Sequence, residues 1–440
     1  MKPLQMPMFS PETEWIPPTH LPDLKDHKEI AIDLETRDPG LKSSGSGSVN
    51  GNGEVVGIAV AVEGWSGYFP IAHEGGGNMD RALVLDWFEE VLHTDATKIF
   101  HNAMYDVSWI RSMGFYIRGG VIDTLIAASL IDENRWGYAL NALGKQYVGV
   151  GKNEKILNDA AKSWGIDPKA DMWRLPAPLV GEYAEQDAVL TLKLWHALQR
   201  EISSQDLWDV FNLETNLFPC LIDMKFKGVR VDAEKANLLK QELIKEEKNI
   251  YRGIRKLIGF DVEIWAAASI AKAFDEVKLP YDRTEKGAPS FTKNFLSTHP
   301  HELPKAIANA REINKAHTTF IDTIIKHEHN GRIHADINQI RSDDGGTVTG
   351  RFSYSNPNLQ QIPARNKDLG PKIRALFIPE KNHTWGCFDY SQQEPRIVVH
   401  FASLLKLEGS QTIVDQYNAG EADFHQMIAD MAGIERKQAK

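Results

Sequence analysis

Hydrophobic and polar positions follow two different periods along this chain. Short apolar runs at 28–36, 54–62 and 98–100 have the length and residue types of β-strands. Apolar residues three and four apart, as in 81–92, predict helices between and after them. Strands that alternate with helices up to about residue 200 indicate an α/β domain. From about 205 to 330 the helical spacing continues almost unbroken, which predicts a mostly helical region.

Three further segments break this pattern. The proline-rich residues before about 28 predict an irregular lead-in. Half of the 18 residues from Arg37 to Glu54 are Gly or Ser, which predicts a flexible surface loop. Turn residues at 341–351 lead into TWGCFDYS at 384–391, which has the composition of a strand, and an apolar helix follows from Glu394.

Length and composition limit the class of protein. A chain of 440 residues, 42% hydrophobic and 25% charged, predicts a globular protein of two or three domains. No apolar run is long enough to span a bilayer and the N-terminus lacks the layout of a signal peptide, so we expect a cytoplasmic protein without a membrane partner. Cys220 and Cys387 are too few for a disulfide framework and wrongly spaced for zinc, and we expect them to be core thiols.

The charge distribution leaves a nucleic-acid partner open. A net charge of −10 argues against general attraction to nucleic acid. The segment 351–374 nevertheless holds five basic residues against one acid, Asp368. Charge alone therefore decides nothing about DNA binding.

Three short segments carry acidic residues that together predict chemistry. Asp33 and Glu35 are two apart on a predicted strand, so their side chains project from one face. Asp106 follows the next strand, four residues after Asn102, and Asp187 lies four residues after Tyr183 on an amphipathic helix, where the two share a face. Taken singly, each has an ordinary explanation: a surface pair, a helix N-cap or boundary residues.

Taken together, these acids predict a metal-dependent nuclease. Four carboxylates that converge repel one another unless divalent cations lie between them. Two such ions would serve phosphodiester cleavage, one activating the attacking water, which Tyr183 would orient, and the other stabilising the leaving 3′ oxygen. Ligation by oxygen alone favours Mg²⁺ or Mn²⁺ over zinc.

The order and spacing of these segments resemble the three exonuclease motifs of DnaQ-like proofreading nucleases. The resemblance implies that Asp33, Glu35, Asp106 and Asp187 bind two metal ions, that Tyr183 is catalytic and that Asn102 contacts DNA. It also implies a ribonuclease-H-like mixed sheet flanked by helices for residues 28–204.

A second group of segments resembles family A DNA polymerases. TGRFSYSNPNLQQIPAR, at 349–365, is similar to the segment of that family that contacts primer–template. Arginine and glutamine side chains can read base edges, and basic residues hold phosphates. The resemblance assigns DNA contacts to four residues: Arg351, Asn358, Gln360 and Arg365. A polar loop with a surface salt bridge is the alternative.

FDYSQQEPR, at 388–396, is similar to the palm block of the same family. The resemblance implies that Asp389 is a catalytic metal ligand and that Glu394 excludes ribonucleotides. Apolar residues are more common in the family where Gln393 and Pro395 stand here. The resemblance also assigns nucleotide binding to His425, Arg436 and Lys440, of which the last two begin the family's fingers helix.

The resemblance also predicts how the chain is organised. We expect an irregular lead-in (1–27), the exonuclease domain (28–204) and an incomplete polymerase domain (205–440). The last would consist of a mostly helical thumb (about 205–335), the start of the palm (about 336–405) and the start of the fingers (about 406–440). Because the second palm carboxylate has no counterpart before Lys440, we expect that this chain does not polymerise unless the missing part, for example on a second chain, is supplied.

The sequence therefore predicts a proofreading DNA polymerase of the phage type, in a bacterial or phage-infected cell. Its substrates would be primer–template DNA, single-stranded 3′ ends and deoxynucleoside triphosphates. Two alternatives stay open: an RNA 3′ exonuclease of the ribonuclease D type, and a DNA-binding assembly subunit without catalysis. The segments at 349–365 and 388–396 argue against the first, and the complete set of acids argues against the second.

Overall fold

A five-stranded mixed sheet organises the N-terminal part of the chain. The computed structural model describes residues 11–343, 345–364 and 366–439. Its strands run in the order β3-β2-β1-β4-β5, with β1, β2 and β3 antiparallel and β1, β4 and β5 parallel. The strands are β1 (Glu29–Arg37), β2 (Glu54–Val62), β3 (Trp65–Pro70), β4 (Thr97–Phe100) and β5 (Val121–Asp123). This mixed sheet confirms the predicted α/β class.

Helices cover both faces of this sheet. They are α1 (Leu41–Ser44), α2 (Gly47–Asn50), α3 (Arg81–Leu92), α4 (Ala103–Ser112), α5 (Thr124–Ile131), α6 (Leu140–Leu143), α7 (Lys155–Trp164) and α8 (Pro178–Ser204). Side chains alternate along β1: Ile30 and Ile32 belong to a core with α3 and α4, whereas Ala31 belongs to a core with α8. Asp33 and Glu35 follow the alternation of Ala31, so β1 presents its acids toward α8.

The Gly/Ser-rich segment from Arg37 to Glu54 is more ordered than predicted. It forms α1 and α2, and its centre, 45–48, is buried, so the prediction of a surface loop was wrong there. A Cβ at Gly47 would lie 2.9 Å from the Trp109 ring, and the Gly47 N–H donates to Asp38 Oδ1 at 3.0 Å. The small residues therefore serve close packing against α4, which their composition did not distinguish from chain flexibility.

The region after α8 is mostly helical, as predicted, and belongs with the sheet to the first of two compact units, which ends at Ile378. Its helices are α9 (Trp208–Lys227), α10 (Ala233–Ile258), α11 (Ala267–Glu276), α12 (Lys293–Thr298), α13 (Glu302–Lys315), α14 (Asp322–His327) and α15 (Leu369–Arg374). Short strands connect them: β6 (Val229–Arg230), β7 (Asp282–Arg283), β8 (Pro289–Ser290), β9 (Glu328–His329), β10 (Arg332–Ile333), β11 (Asp336–Asn338) and β12 (Ser353–Ser355). Cys220, on α9, is exposed and not the core thiol that was expected.

The second unit begins at Pro379 and is helical after an irregular start. Its helices are α16 (Gln393–Leu404), α17 (Ser410–Asn418), α18 (Phe424–Ala432) and α19 (Arg436–Ala439). The strand predicted at 384–391 is wrong, because those residues are irregular and exposed. A strand needs a neighbour to take its backbone hydrogen bonds, and the described residues 379–439 contain no second strand. Cys387 is exposed there and is likewise no core thiol.

Within the described part of the chain, no helix is both long and apolar enough to cross a membrane.

The packing of β2 makes one residue critical for the sheet. A Cβ at Gly57 would lie 1.9 Å from the hydroxyl of Tyr68, which is buried and hydrogen-bonded to His73 Nε2 at 2.6 Å. We expect Gly57→Ala to destabilise the protein by about 1–3 kcal/mol through overpacking. Gly253→Ala, in α10 where a Cβ meets no atom within 4 Å, is the control and should stabilise by about 0.5–1 kcal/mol. Urea midpoints measure both changes, and equal midpoints for the two variants would contradict the packing argument.

Candidate active site

The three predicted acidic segments meet between β1, α4 and α8. Oxygen atoms of Asp33, Glu35 and Asp187 all lie within 4.8 Å of one another. Glu35 and Asp187 are buried and Asp33 is half-buried. The two-residue spacing on β1 and the packing of α8 over that strand bring these three side chains together. We call Asp33, Glu35, Asp187 and the neighbouring Asp106 the carboxylate cluster.

Asp106 adjoins the group of three without being one of its closest members. It lies in the first turn of α4, is buried, and its Oδ1 accepts the Leu34 N–H at 3.0 Å. It is therefore not a helix N-cap, which was the ordinary explanation for an acid at this junction. Asn102 holds the N-cap position of α4, and the carboxylate of Asp123, the N-cap of α5, accepts the N–H groups of Asn102 and Ala103 at 2.9 and 2.8 Å.

Burial and mutual repulsion disfavour the ionised form of the carboxylates in the cluster. Burial, reinforced by the Asp187 charge, raises the pKa of Asp33 to about 7. The pKa of Glu35 is raised well above its ordinary value, first by burial and then by Asp33 and Asp187. Burial also raises the pKa of Asp106 and of Asp187. All four side chains can be ionised together only when added positive charge compensates them.

Lys152 is a member of the site that no sequence motif indicated. Its Nζ lies 2.5 Å from Asp187 Oδ2 and donates to the Tyr183 hydroxyl at 3.3 Å. Burial alone would lower the pKa of this ammonium, but the carboxylates of Asp187, Asp33 and Glu35 outweigh it and the pKa is raised. Lys152 precedes α7 in an irregular segment, where no periodicity shows which way a side chain points.

The donor atoms fit a divalent cation. Asp187 Oδ1 is buried and has no hydrogen-bond partner among the described residues, although a buried oxygen normally has one. The three converging ligands offer carboxylate oxygen only, which hard cations such as Mg²⁺ and Mn²⁺ prefer. The cluster is therefore able to hold a metal ion through Asp33, Glu35 and Asp187.

Tyr183 adjoins the cluster, and Asn102 precedes the helix that carries Asp106. The pKa of Tyr183 is raised, first by burial and then by Asp187, so its hydroxyl stays protonated and can donate a hydrogen bond. Asn102 is exposed, with φ of 69°, at the start of α4. It lines a cavity of about 550 Å³ together with Tyr105 and Asn356.

The residues predicted to contact primer–template lie on one exposed segment of the first unit. Arg351, Asn358 and Gln360 are exposed. The Asn358 side chain accepts the Gln360 N–H at 3.0 Å, and the Gln360 amide donates to the Phe352 carbonyl at 2.9 Å. These amides therefore stabilise the fold of the segment itself. Arg365 lies outside the described residues.

The predicted nucleotide-binding residues lie in the second unit. Asp389 is exposed in the irregular start of that unit, and Glu394 is exposed in the first turn of α16. His425 is half-buried in α18, and Arg436 forms an ion pair with Asp423, the residue that caps α18, at 2.7 Å. The structure thus brings Arg436 to the end of the helix that carries His425. Lys440 lies outside the described residues.

Two family models match this chain. Residues 19–203 match a model described as 3′-5′ exonuclease, and residues 233–440 match one described as DNA polymerase family A. The two matched segments contain the carboxylate cluster and the predicted polymerase residues, respectively.

Curated relatives agree with these matches. A DNA-directed DNA polymerase of Pseudomonas phage M6 is 38% identical over 99% of this chain and 70% of the relative. DNA polymerase DpoZ of Salmonella phage PMBT28 is 31% identical over 94% and 67%, and DNA polymerase I of Pseudomonas aeruginosa is 29% identical over 96% and 46%. The chain thus spans from 46% to 70% of the length of these relatives.

A solved structure shares the fold. It is the polymerase domain of Pol1 from M. smegmatis in complex with DNA primer-template and dNTP, with a TM-score of 0.69 over 94% of this chain and 65% of that chain. The sequences are 20% identical, so the likeness concerns the fold alone.

The raised pKa of Asp33 makes the stability of the metal-free protein depend on pH. The folded protein favours the protonated form of Asp33, so this carboxyl contributes its full stabilisation below its pKa in the unfolded chain, near 3.9. That contribution is lost as the pH rises through the folded-state pKa of about 7. We expect Asp33→Asn to raise the melting temperature in EDTA at pH 8.5 and to have little effect at pH 4. Each kcal/mol gained in the free energy of unfolding corresponds to a rise of about 2–4 °C. Differential scanning fluorimetry measures this difference.

Asp86→Asn, at an exposed position on α3, is the matched control and should change the melting temperature equally little at both pH values. Mg²⁺ should stabilise the wild type at pH 8.5 more than it stabilises Asp33→Asn. A pH-independent effect of Asp33→Asn would contradict the raised pKa.

Proposed function

The chain belongs to DNA polymerase family A and contains a 3′-5′ exonuclease domain; from this we propose that the carboxylate cluster removes nucleotides from the 3′ ends of DNA. The observation that carries the proposal is the convergence of Asp33, Glu35 and Asp187 within 4.8 Å, on three buried or half-buried side chains of one site. A buried acid cluster with an unpartnered Asp187 oxygen is costly to fold and is explained by cation binding.

The residues of the cluster divide the work of hydrolysis. Asp33, Glu35, Asp106 and Asp187 would hold two Mg²⁺ or Mn²⁺ ions. Divalent cations supply Lewis acidity to the attacking water and to the leaving 3′ oxygen. Tyr183 keeps its proton because its pKa is raised, and its hydroxyl would donate a hydrogen bond that orients the water.

A melted 3′ end is the substrate that this site favours. The cluster lies within the exonuclease domain rather than on the exposed segment that carries Arg351 and Gln360. We propose that a 3′ strand leaves its template to reach the cluster, which a mismatched terminus does more readily than a paired one. Asn102, exposed on the cavity beside α4, would contact that strand.

The polymerase part would bind primer–template and deoxynucleoside triphosphates. We propose that Arg351, Asn358, Gln360 and Arg365 contact the DNA, which the solved polymerase domain with primer-template and dNTP supports as a binding mode for this fold.

We propose that Asp389 binds metal, that Glu394 rejects ribonucleotides, and that His425, Arg436 and Lys440 bind the triphosphate. We also propose a lead-in at 1–27, an exonuclease domain at 28–204 and a polymerase domain at 205–440.

An exonuclease assay tests this function. The purified chain with Mg²⁺ should shorten a 5′-labelled primer with a mismatched 3′ end on its template, and should shorten the matched primer more slowly. Asp33→Ala/Glu35→Ala removes two proposed metal ligands and should lower the rate by about 100-fold or more. The control Asp86→Ala/Glu90→Ala removes two exposed carboxylates four residues apart on α3 and should keep the wild-type rate.

The same assay separates the alternatives. Faster shortening of an RNA primer than of DNA would favour an enzyme of the ribonuclease D type. DNA binding by the wild type without any shortening would favour a non-catalytic subunit. Adding the four deoxynucleotides to the reaction tests whether this chain extends a primer.

A further inference from the structure

We propose that Lys152 is a positioning residue of the exonuclease: it holds Asp187 and Tyr183 in their working orientation and supplies the cluster with a fixed positive charge. The proposal deepens the exonuclease function proposed above and rests on it.

Lys152 contacts the two α8 residues that the reaction needs. Its Nζ lies 2.5 Å from Asp187 Oδ2 and 3.3 Å from the Tyr183 hydroxyl, and 5.1 Å from the centre of the Tyr183 ring. The side chains of Lys152 and Asp187 are only 12% and 5% exposed. One ammonium therefore links a proposed metal ligand to the proposed water-orienting hydroxyl, inside a site that excludes most solvent.

The contact with Lys152 makes the surroundings of the two Asp187 oxygens different. Oδ2 accepts from Lys152, whereas Oδ1 is buried without a hydrogen-bond partner among the described residues. The contact with Lys152 opposes any tilt of the carboxylate group that would turn the second oxygen away from Asp33 and Glu35. Lys152 thereby keeps Oδ1 available for a cation.

Hydrogen bonds hold the segment around Lys152 against α8, the helix that carries Tyr183 and Asp187. The Lys152 N–H donates to Asn141 Oδ1 at 3.0 Å, and the Asn153 N–H donates to Gln186 Oε1 at 2.6 Å. Gln186 in turn donates from its amide to the Gly151 carbonyl at 3.2 Å. Because Gln186 stands between Tyr183 and Asp187 in the sequence of α8, the backbone on both sides of Lys152 is fixed relative to its two targets.

Charge balance supplies a reason for a cation of the chain's own. Four ionised carboxylates neutralise two divalent cations, and the phosphate of a bound DNA end then adds one negative charge. Lys152 provides the positive charge that would otherwise be lacking in a site with little water.

A purely structural salt bridge is the competing explanation. A buried ion pair costs desolvation energy and contributes little net stability, so stability alone is a poor reason for placing a lysine here. The two explanations differ in what removal of the charge does to a variant that still folds. Loss of a structural lysine lowers activity only as far as it lowers stability, whereas loss of a positioning lysine lowers kcat in a folded protein.

The test compares Lys152→Met with Lys152→Arg in the full chain. Lys152→Met should tighten Mn²⁺ binding without DNA by about threefold or more, because a competing positive charge is removed. It should also lower the exonuclease kcat by about tenfold or more, with a smaller change in KM, because Asp187 and Tyr183 lose their orientation. Lys152→Arg keeps the charge and should leave the Mn²⁺ affinity within about twofold of the wild type while restoring part of kcat. Titration calorimetry with Mn²⁺ and steady-state cleavage at varied DNA concentration give the two readouts.

Lys155→Met, three residues away and exposed, is the matched control and should change neither readout. Weaker or unchanged Mn²⁺ binding by a folded Lys152→Met protein, or an unchanged kcat, would overturn the proposal. A wild-type chain that shows no exonuclease activity would refute the proposed function itself, so the two failures are distinguishable. Melting temperatures of all variants show whether each has folded.

Discussion

Buried carboxylates cannot remain ionised side by side without positive charge among them, and the exonuclease part of this chain is arranged around that constraint. Burial and repulsion raise the pKa of Asp33, Glu35, Asp106 and Asp187. A site of this kind binds cations in exchange for protons, because the ligands must be deprotonated to coordinate them. The repulsion among these carboxylates that destabilises the metal-free fold is therefore also the source of the site's affinity for cations.

The mixed sheet makes such a cluster possible. β1 is central, with β2 antiparallel on one side and β4 parallel on the other along Glu29–Ala31, and its acids face α8. Gly57, opposite Glu35 on β2, leaves room for the buried hydroxyl of Tyr68. A rigid strand and a 27-residue helix thus hold the ligands from two sides. Elements of this kind position catalytic groups more reproducibly than loops do.

Side-chain directions that follow from strand or helix periodicity were predictable from the sequence. Directions that depend on partners distant in sequence were not. A spacing of two on the strand indicated a shared face for Asp33 and Glu35, and a spacing of four on the helix did so for Tyr183 and Asp187. In the structure each pair does lie on one face, toward the carboxylate cluster. Lys152 escaped prediction because its direction is set by hydrogen bonds to α8, which no local pattern records.

Local composition misled where packing decided the outcome. The Gly/Ser content of 37–54 indicated a surface loop, yet glycine there allows close contact with the Trp109 ring. The strand predicted at 384–391 fits its residues, but strand formation depends on a neighbour that the described residues of the second unit do not contain. The two groups of acids differ for the same reason. The carboxylate cluster is set by the packing of β1, α4 and α8, whereas Asp389 and Glu394 stand at exposed positions of the second unit. The geometry of the first group is therefore a property of the packed core, whereas burial does not set the geometry of the second group.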